Sequence, residues 1–501
     1  MLGNNGPIIN FNKKQINKIK KKELLTKWKE ENTLYCQKYK NKICNNHNII
    51  WSPPLDIKYD SIQTHSWFTL NKCINNKKSN VDNIDIISKE NVYNKCNTHN
   101  KFNIDGKEKE SIKCNKINMH LTDTQQEIFN NWFKAYSVMY NKTLKYIKDN
   151  KEHNIKGLLN WKTLRTTHLK DIKNEVIEGS KMEKYKNCQI KCHMLDGAIK
   201  LACSNYKSAI TNFKRGHIKN FRIRYWKISK SFHILDIERS FIQENKKDNY
   251  FSICPKIFGK IKCTYNGEDF NMNDIREKYK CDVKIHHDKV LNKYTLLVPE
   301  KVEQINKQNK SKLFGGDLGV STFLTGISEN DGIMVGSNVC NVILKNIKKV
   351  EEIKGKSVPS KIKKKYERRY NKRITNMVDD LHWKTINYLV NNYMNILIGD
   401  ISTKGIVKNG KSNIHVDVKK VAQRLKFYEF RQRLENKCKI NGLEYRVIDE
   451  KYTSKMCTKC GNIDEELGGK KIYSCKKCGL KINRDYGGAR GITIKGTERK
   501  E

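Results

Sequence analysis

Cys457-Thr458-Lys459-Cys460-Gly461, then Cys475-Lys476-Lys477-Cys478-Gly479, then Asn483-Arg484-Asp485-Tyr486-Gly487-Gly488-Ala489-Arg490: this stretch near the C-terminus decides the fold. Fourteen residues separate the two CxxC pairs. That is the spacing of a zinc ribbon closed by four thiolates, Cys457, Cys460, Cys475 and Cys478. A glycine follows each pair and lets the chain turn tightly around the metal. A closed four-ligand site is structural, so one zinc ion is expected to hold the ribbon without doing chemistry.

Working outward, Asp485 follows the ribbon directly, and a second isolated aspartate lies in the apolar run Leu313-Phe314-Gly315-Gly316-Asp317-Leu318-Gly319-Val320. Strands are expected at 313–320, 394–400 and 444–449, a long basic helix at about 361–393, and helices near 420–440 and after 485. A ribonuclease-H-like nuclease needs carboxylates from neighbouring strands and a nearby helix around two divalent cations about 3.5–4 Å apart. Hard oxygen ligands suit magnesium. The ordered set here is Asp317, an acidic strand end at Asp400, the ribbon, then Asp485. It predicts a metal-dependent nuclease core with a zinc ribbon set into it.

Earlier in the chain, Thr122-x-x-Gln125 is a capping-box helix start, and Ile128, Phe129, Trp132, Tyr136, Met139 and Tyr140 follow at helical spacing. A second helix carries Leu195 to Phe213 and is expected to stop at Gly216. Phe221-Arg222-Ile223-Arg224-Tyr225-Trp226-Lys227 alternates basic and apolar residues as a half-buried strand would, with a face suited to nucleic acid. Val283 and Ile285, then Tyr294, Leu296 and Val298, predict further antiparallel strands. Residues 1–115 form an extension of uncertain order. Cys36, Cys44, Cys73, Cys96 and Cys114 lie there, with His47 and His99, at spacings too irregular to define a second metal site. Cys188 and Cys192, before His193, read as buried thiols rather than ligands.

The net charge of +47 over 501 residues points to a polyanionic partner. Lysine is inflated by the same bias that fills the chain with Asn and Ile, so arginine is the better probe. Only sixteen arginines occur, and they cluster. Arg215, Arg222, Arg224, Arg424, Arg431 and Arg433, with Trp226, are the candidate nucleic-acid contacts, since arginine binds phosphate bidentately. Seventeen cysteines, an odd number, argue against a secreted disulfide scaffold and for an intracellular setting. No apolar run of about 18 residues predicts a membrane span. The run Lys13 to Lys22 reads as either a nuclear import signal or a solvated basic face.

With these motifs in view, the sequence resembles the Fanzor proteins, eukaryotic and viral relatives of the transposon-encoded TnpB nucleases and of type V CRISPR nucleases. The resemblance runs from about Lys116 to Ile494. It is carried by Tyr140-Asn141-Lys142-Thr143-Leu144, Lys214-Arg215-Gly216-His217-Ile218-Lys219-Asn220-Phe221, Leu381-His382-Trp383-Lys384-Thr385, Phe430-Arg431-Gln432-Arg433-Leu434 and Tyr452-Thr453-Ser454-Lys455-Met456-Cys457. It implies an α+β multidomain protein: a wedge-like β-barrel (116–122 plus 215–308) interrupted by a helical recognition insert (123–214). A RuvC-like, RNase-H-like nuclease domain (309–455 plus 480–501) would follow, with the zinc ribbon (456–479) inside it. It also implies a guide RNA encoded beside the gene, a double-stranded DNA target, two catalytic magnesium ions and, in a eukaryotic host, a place in the nucleus.

This chain departs from the family pattern in three places. Gly399 occupies the slot where TnpB-like members carry the second acid. Many Fanzor proteins share that loss and use a glutamate just before Tyr-Thr-Ser, which here is Glu450. The expected magnesium ligands are therefore Asp317, Glu450 and Asp485, with Asp400 the runner-up for the second. After the ribbon, Asn483 replaces the motif's first acid, and Gly487 and Gly491 replace its two asparagines. The extension before residue 115 has no counterpart in the resemblance. The function implied is an RNA-guided, magnesium-dependent DNA endonuclease of mobile-element origin. The alternative is a catalytically weak or inactive RNA-guided DNA-binding protein. A guide-free junction resolvase would explain the acids but not the basic domains before residue 310.

Overall fold

The computed structural model describes residues 33–44, 51–55, 58–74, 84–86, 112–150, 155–216, 218–245, 250–265, 267–269, 282–289, 291–302, 311–407, 414–468 and 470–499. They fall into two compact units, Glu110–Glu303 and a second made of Met1–Lys109 with Gln304–Glu501.

The second unit is built on a seven-stranded sheet. In chain order its strands are β1 (Asp60–His65), β2 (Phe68–Ile74), β3 (Ser311–Leu318), β4 (Leu324–Ser328), β5 (Asp331–Val335), β6 (Tyr393–Gly399) and β7 (Glu444–Ile448). The spatial order is β1-β2-β5-β4-β3-β6-β7. Strand β6 runs parallel to both β3 and β7, and the other pairings are antiparallel. The parallel strands are apolar because both faces are covered: Phe314, Ile396, Leu397 and Ile398 are fully buried.

The helices of this unit are α1 (33–44), α2 (Val339–Gly355), α3 (Ser360–Asn392), α4 (Val416–Leu425), α5 (Phe427–Ile440) and α6 (Arg484–Gly496). Helix α3 runs 33 residues because its C-terminal half buries Ile374, Met377, Val378, Leu381, Ile386 and Leu389, while its N-terminal half is solvated. The helical region expected near 420–440 is made of two helices, α4 and α5. Lys426 adopts a left-handed conformation (φ 50°) and breaks it.

The sequence gives little sign that residues before 75 build this unit, yet β2 pairs with β5 and buries Phe68, Leu70 and Cys73. Helix α1 packs Tyr39 and Ile43 against Ile327, Met456, Ala489 and Ile494.

The unit Glu110–Glu303 combines a six-stranded antiparallel sheet with a helical pair. The sheet order is Phe232–Ile237, Val283–Asp288, Lys293–Lys301, Ile112–His120, Lys262–Tyr265, Glu268–Asp269. The helices span Asp123–Asp149 and Cys192–Lys214. Thr122 Oγ1 accepts from the Gln125 N–H at 3.3 Å, and Gln125 Oε1 from the Thr122 N–H at 3.0 Å, completing the expected capping box. Gly216 is left-handed just past the second helix (φ 69°).

Residues 221–227 are not a strand. Burial alternates over Phe221–Arg224 but breaks at exposed Tyr225 and half-buried Trp226, where the Asn141 amide takes the place of a sheet neighbour. Its Oδ1 accepts from the Trp226 N–H at 2.6 Å, and its Nδ2 donates to the Trp226 carbonyl at 2.9 Å. Among the described residues, no helix is long and apolar enough to cross a membrane.

Candidate metal and carboxylate centres

The ribbon cysteines meet. The sulfur atoms of Cys457, Cys460, Cys475 and Cys478 all lie within 4.8 Å of one another, and among the described residues this is the one such group of three or more potential ligands. The two knuckles repeat one geometry. Gly461 N–H donates to the Cys457 carbonyl at 2.9 Å and Gly479 N–H to the Cys475 carbonyl at 3.0 Å, with both glycines left-handed (φ 67° and 73°). The strand pair Ile472–Ser474 and Lys481–Asn483 closes the ribbon. Burial raises the Cys475 thiol, but the N–H groups of Cys478 and Lys477 more than offset this and bring it down to about 7. A thiol so placed is ready to ligate as thiolate. The four sulfurs could hold one zinc ion.

Cys36, Cys44, Cys73 and Cys114 join no such group, and Cys96, His47, His99 and the run Lys13 to Lys22 lie outside the described residues. Cys188 is buried and Cys192 half-buried, away from any such group.

Three carboxylates converge from β3, from the residue following β7's end loop, and from α6. Each has a physical reason for its place. Asp317 sits near the end of β3, where its Oδ2 fills the space a methyl on Gly488 would need. Desolvation first, then the charge of Asp485, push its carboxyl well up, against the pull of Arg484. The Glu450 carboxyl fills the space over Gly399, so that any side chain there would run into it. Desolvation, then Asp317, then Asp400 push the Glu450 carboxyl up, opposed by the Ile401 N–H and by Arg431.

One oxygen, Glu450 Oε1, is buried with no hydrogen-bond partner among the described residues. Asp485 is the most exposed of the three, raised by desolvation and held back by Arg484 and Lys471. Repulsion between acids that share a buried space raises their carboxyls, as Asp317 and Glu450 show. Among the described residues the three carboxylates do not form a group as close as the sulfurs.

Asp400 does something else. Its Oδ1 accepts the backbone N–H of Glu450 at 3.1 Å, while its own N–H donates to the Ile448 carbonyl at 3.0 Å. Two of the other departures from the family pattern, Asn483 and Gly491, also have local explanations, whereas nothing in the structure explains Gly487. Asn483 is the N-cap of α6, its Oδ1 accepting from the Asp485 N–H at 3.0 Å. Gly491 leaves room for Tyr39 of α1, whose hydroxyl donates to the Gly491 carbonyl at 3.2 Å; a methyl there would lie 2.8 Å from that hydroxyl. Beside Glu450, Asp449 accepts from the Tyr35 hydroxyl at 2.5 Å, and Lys495 donates to Tyr35 and to the Asp449 carbonyl.

The candidate nucleic-acid residues divide. Arg215, Arg222, Arg224 and Arg424 are exposed. Trp226 is half-buried, edge-on to Tyr140 at 5.3 Å. Arg431 donates to the carbonyls of Gly399 and Ile401, at 3.2 and 3.3 Å, and so holds the end of β6. Arg433 pairs with Asp379 at 2.8 Å and with Glu429, beside Nδ1 of buried His382. Both side chains thus make bonds within this unit.

A family model described as the Cas12f1-like TNB domain matches residues 427–492. The TnpB-like protein R854 of Acanthamoeba polyphaga mimivirus is 32% identical over 464 residues, covering 88% of this chain and 84% of that protein. The TnpB-like protein L770 of the same virus is also 32% identical, over 88% of this chain and 85% of that one. The CRISPR-associated endodeoxyribonuclease Cas12f1 of Sulfoacidibacillus thermotolerans is 30% identical over 24% of this chain and 28% of its own. Among solved structures, the chain is similar to that of a Cas12f1–sgRNA–target DNA complex, with a TM-score of 0.38 and 15% identity over 74% of this chain and 83% of that one. The chain belongs to the TnpB-like family.

Proposed function

We propose that this protein is an RNA-guided DNA endonuclease of mobile-element origin, of the Fanzor branch of the TnpB-like family. In this reading Asp317, Glu450 and Asp485 hold two magnesium ions in a RuvC-like domain (309–455 plus 480–501). The zinc ribbon (456–479) carries Asp485 into place. Residues 116–122 plus 215–308 and 123–214 form the wedge and recognition domains that bind a guide RNA encoded near the gene and double-stranded DNA. In a eukaryotic host the protein works in the nucleus. Pairing with the guide reads sequence, while the protein holds backbones.

The observation that supports this reading best is the Glu450 carboxyl seated over Gly399 and electrostatically linked to Asp317. The slot left vacant by the missing second acid is filled from the neighbouring strand's end. Magnesium, when bound there, supplies water activation and charge neutralisation. The residues themselves present carboxylate oxygens to a shared, partly desolvated space, which the exposed Asp485 borders.

Two substitutions test the reading in guided cleavage of duplex DNA with magnesium. Glu450→Gln should lose cleavage beyond the about 10–100-fold cost of disturbing an outer partner of a metal site, while keeping guided binding. Asp400→Asn keeps an acceptor oxygen for the Glu450 N–H and should retain most activity. Full cleavage by Glu450→Gln with loss in Asp400→Asn would show that Asp400 is the ligand. Guided binding without cleavage by the unaltered protein would favour the non-cleaving alternative, a reading that the wider spacing of the carboxylates also accommodates.

A further inference from the structure

Trp67, at the turn of the hairpin β1–β2, and the middle of α3 line an open surface pocket of about 470 Å³. It is lined by Trp67, Arg369, Lys372, Arg373, Asn376 and Asp380, among others. The helix residues recur at intervals of three and four and so share one face. Arg369, Lys372, Arg373 and Asn376 are exposed, and among the described residues no ion pair is recorded for the three cations.

The charge here is not balanced locally. Residues 361–373 hold eight cations (Lys361, Lys363, Lys364, Lys365, Arg368, Arg369, Lys372, Arg373) and one acid, Glu367, which pairs with Lys354 at 2.9 Å. The cavity's own acid, Asp380, accepts from Trp67 Nε1 at 2.9 Å and from Lys384 Nζ at 3.0 Å. That pair of bonds neutralises Asp380 and fixes the indole. Trp67 also stacks on His65, with centroids 4.6 Å apart and planes 25° apart. Trp67 is half-buried and packs in part against the core of this unit, which keeps the indole in place beside the helix. Cations on one helix face that line the same open pocket as a half-buried indole suit a phosphate joined to a flat base.

We propose that this cavity binds a nucleotide of single-stranded nucleic acid, with its phosphates at Arg369, Lys372 and Arg373 and its base against Trp67. The Asn376 amide is placed to meet a base edge. The site would give the N-terminal hairpin a direct part in holding nucleic acid. The inference rests on nucleic acid being the partner of this chain and not on cleavage.

The experiment uses the full-length protein and two labelled probes, an oligothymidine and a strand of equal length with abasic residues. Stacking contributes about 1–3 kcal/mol per base, so the parent should hold oligothymidine roughly 5- to 150-fold more tightly than the abasic strand. Trp67→Leu should erase that ratio and Trp67→Phe keep most of it. Arg369→Ala with Arg373→Ala should flatten the slope of log affinity against log salt by about 1.4, at roughly 0.7 per single-strand phosphate contact.

The abasic comparison needs no variant, so it stands even where Trp67→Leu fails to fold. Equal binding of the two probes by the parent, or an unchanged slope in the double variant, overturns the site. So does a loss confined to duplex DNA. Guided cleavage by the same preparations separates the two readings. Normal cleavage with unaltered probe binding in every variant sinks this site alone, whereas variant-dependent probe binding without cleavage by the parent sinks the nuclease alone.

Discussion

The four thiols and the three carboxylates lie in one unit of this chain but are assembled by opposite means. The thiols come from 22 consecutive residues, Cys457 to Cys478, and two repeated backbone turns bring their sulfurs within 4.8 Å of one another. The carboxylates span residues 317 to 485 and converge through sheet order, with β3 beside β6 and β6 beside β7. What makes room for them is missing side chains, at Gly399 and Gly488. A local site can be read from spacing, whereas a site made by topology must be read from gaps.

The largest expected effect tests the local site. Cys457→Ser or a strong chelator should remove one zinc per chain and unfold the ribbon, because such metals contribute on the order of 10 kcal/mol or more to small zinc domains. Elemental analysis checks the metal, and limited proteolysis between residues 456 and 479 checks the unfolding. Folded, protease-resistant protein without zinc would erase the contrast between the two centres.

Acid should also strain the frame that holds both centres. His382 is fully buried, and burial, with Arg433 adding, depresses its imidazole to about 4 from 6.5, against a supporting bond to the Leu425 carbonyl. A depressed base stays neutral in the folded state while the unfolded chain takes up a proton below pH 6.5. Stability is therefore full above that pH and falls as pH drops from 6.5 to 4, by on the order of 3 kcal/mol from this group. Thermal melts of the parent and of His382→Gln across that range measure the difference, which should shrink towards pH 4.

The site made by topology should break at an unremarkable residue. Gly399→Ala puts a methyl where the Glu450 carboxyl lies and should lower guided cleavage by about 10–100-fold with little change in melting. Gly399→Glu with Glu450→Ala returns the carboxylate to the neighbouring strand and should recover part of that loss. Parent-level cleavage by Gly399→Ala would mean that Glu450 has no fixed role. The smallest effect is Tyr39→Phe, which removes the hydroxyl donating to the Gly491 carbonyl and should cost about 1 kcal/mol in stability.

Much of the fold is legible wherever one segment carries its own signal. The Thr122 capping box, the apolar stripe after it and the strands around Leu313, Ile396 and Val447 all follow from local pattern and propensity. The unreadable parts have nonlocal causes. Residues 221–227 alternate in sequence, but burial follows that pattern only as far as Arg224, and a side-chain amide 85 positions away satisfies the Trp226 backbone in place of a sheet partner. Strand β1, Asp60 to His65, is exposed throughout and carries no apolar alternation to betray it. The left-handed Lys426 is no glycine, so its break in the helix goes unannounced. Glu450 could be named from the resemblance, but its seat over Gly399 required coordinates.

The contacts of α1 also set a clock. Tyr35 meets Asp449 across 414 residues and Lys495 across 460. At ribosomal speeds of about 5–20 residues per second, α1 is made roughly 20–90 seconds before Lys495 exists. Until then only part of its seat, Ile327, Asp449 and Met456, is in place. A chain cut short before α6 therefore lacks Ala489, Ile494 and Lys495, so residues made late complete the seat of a helix made early.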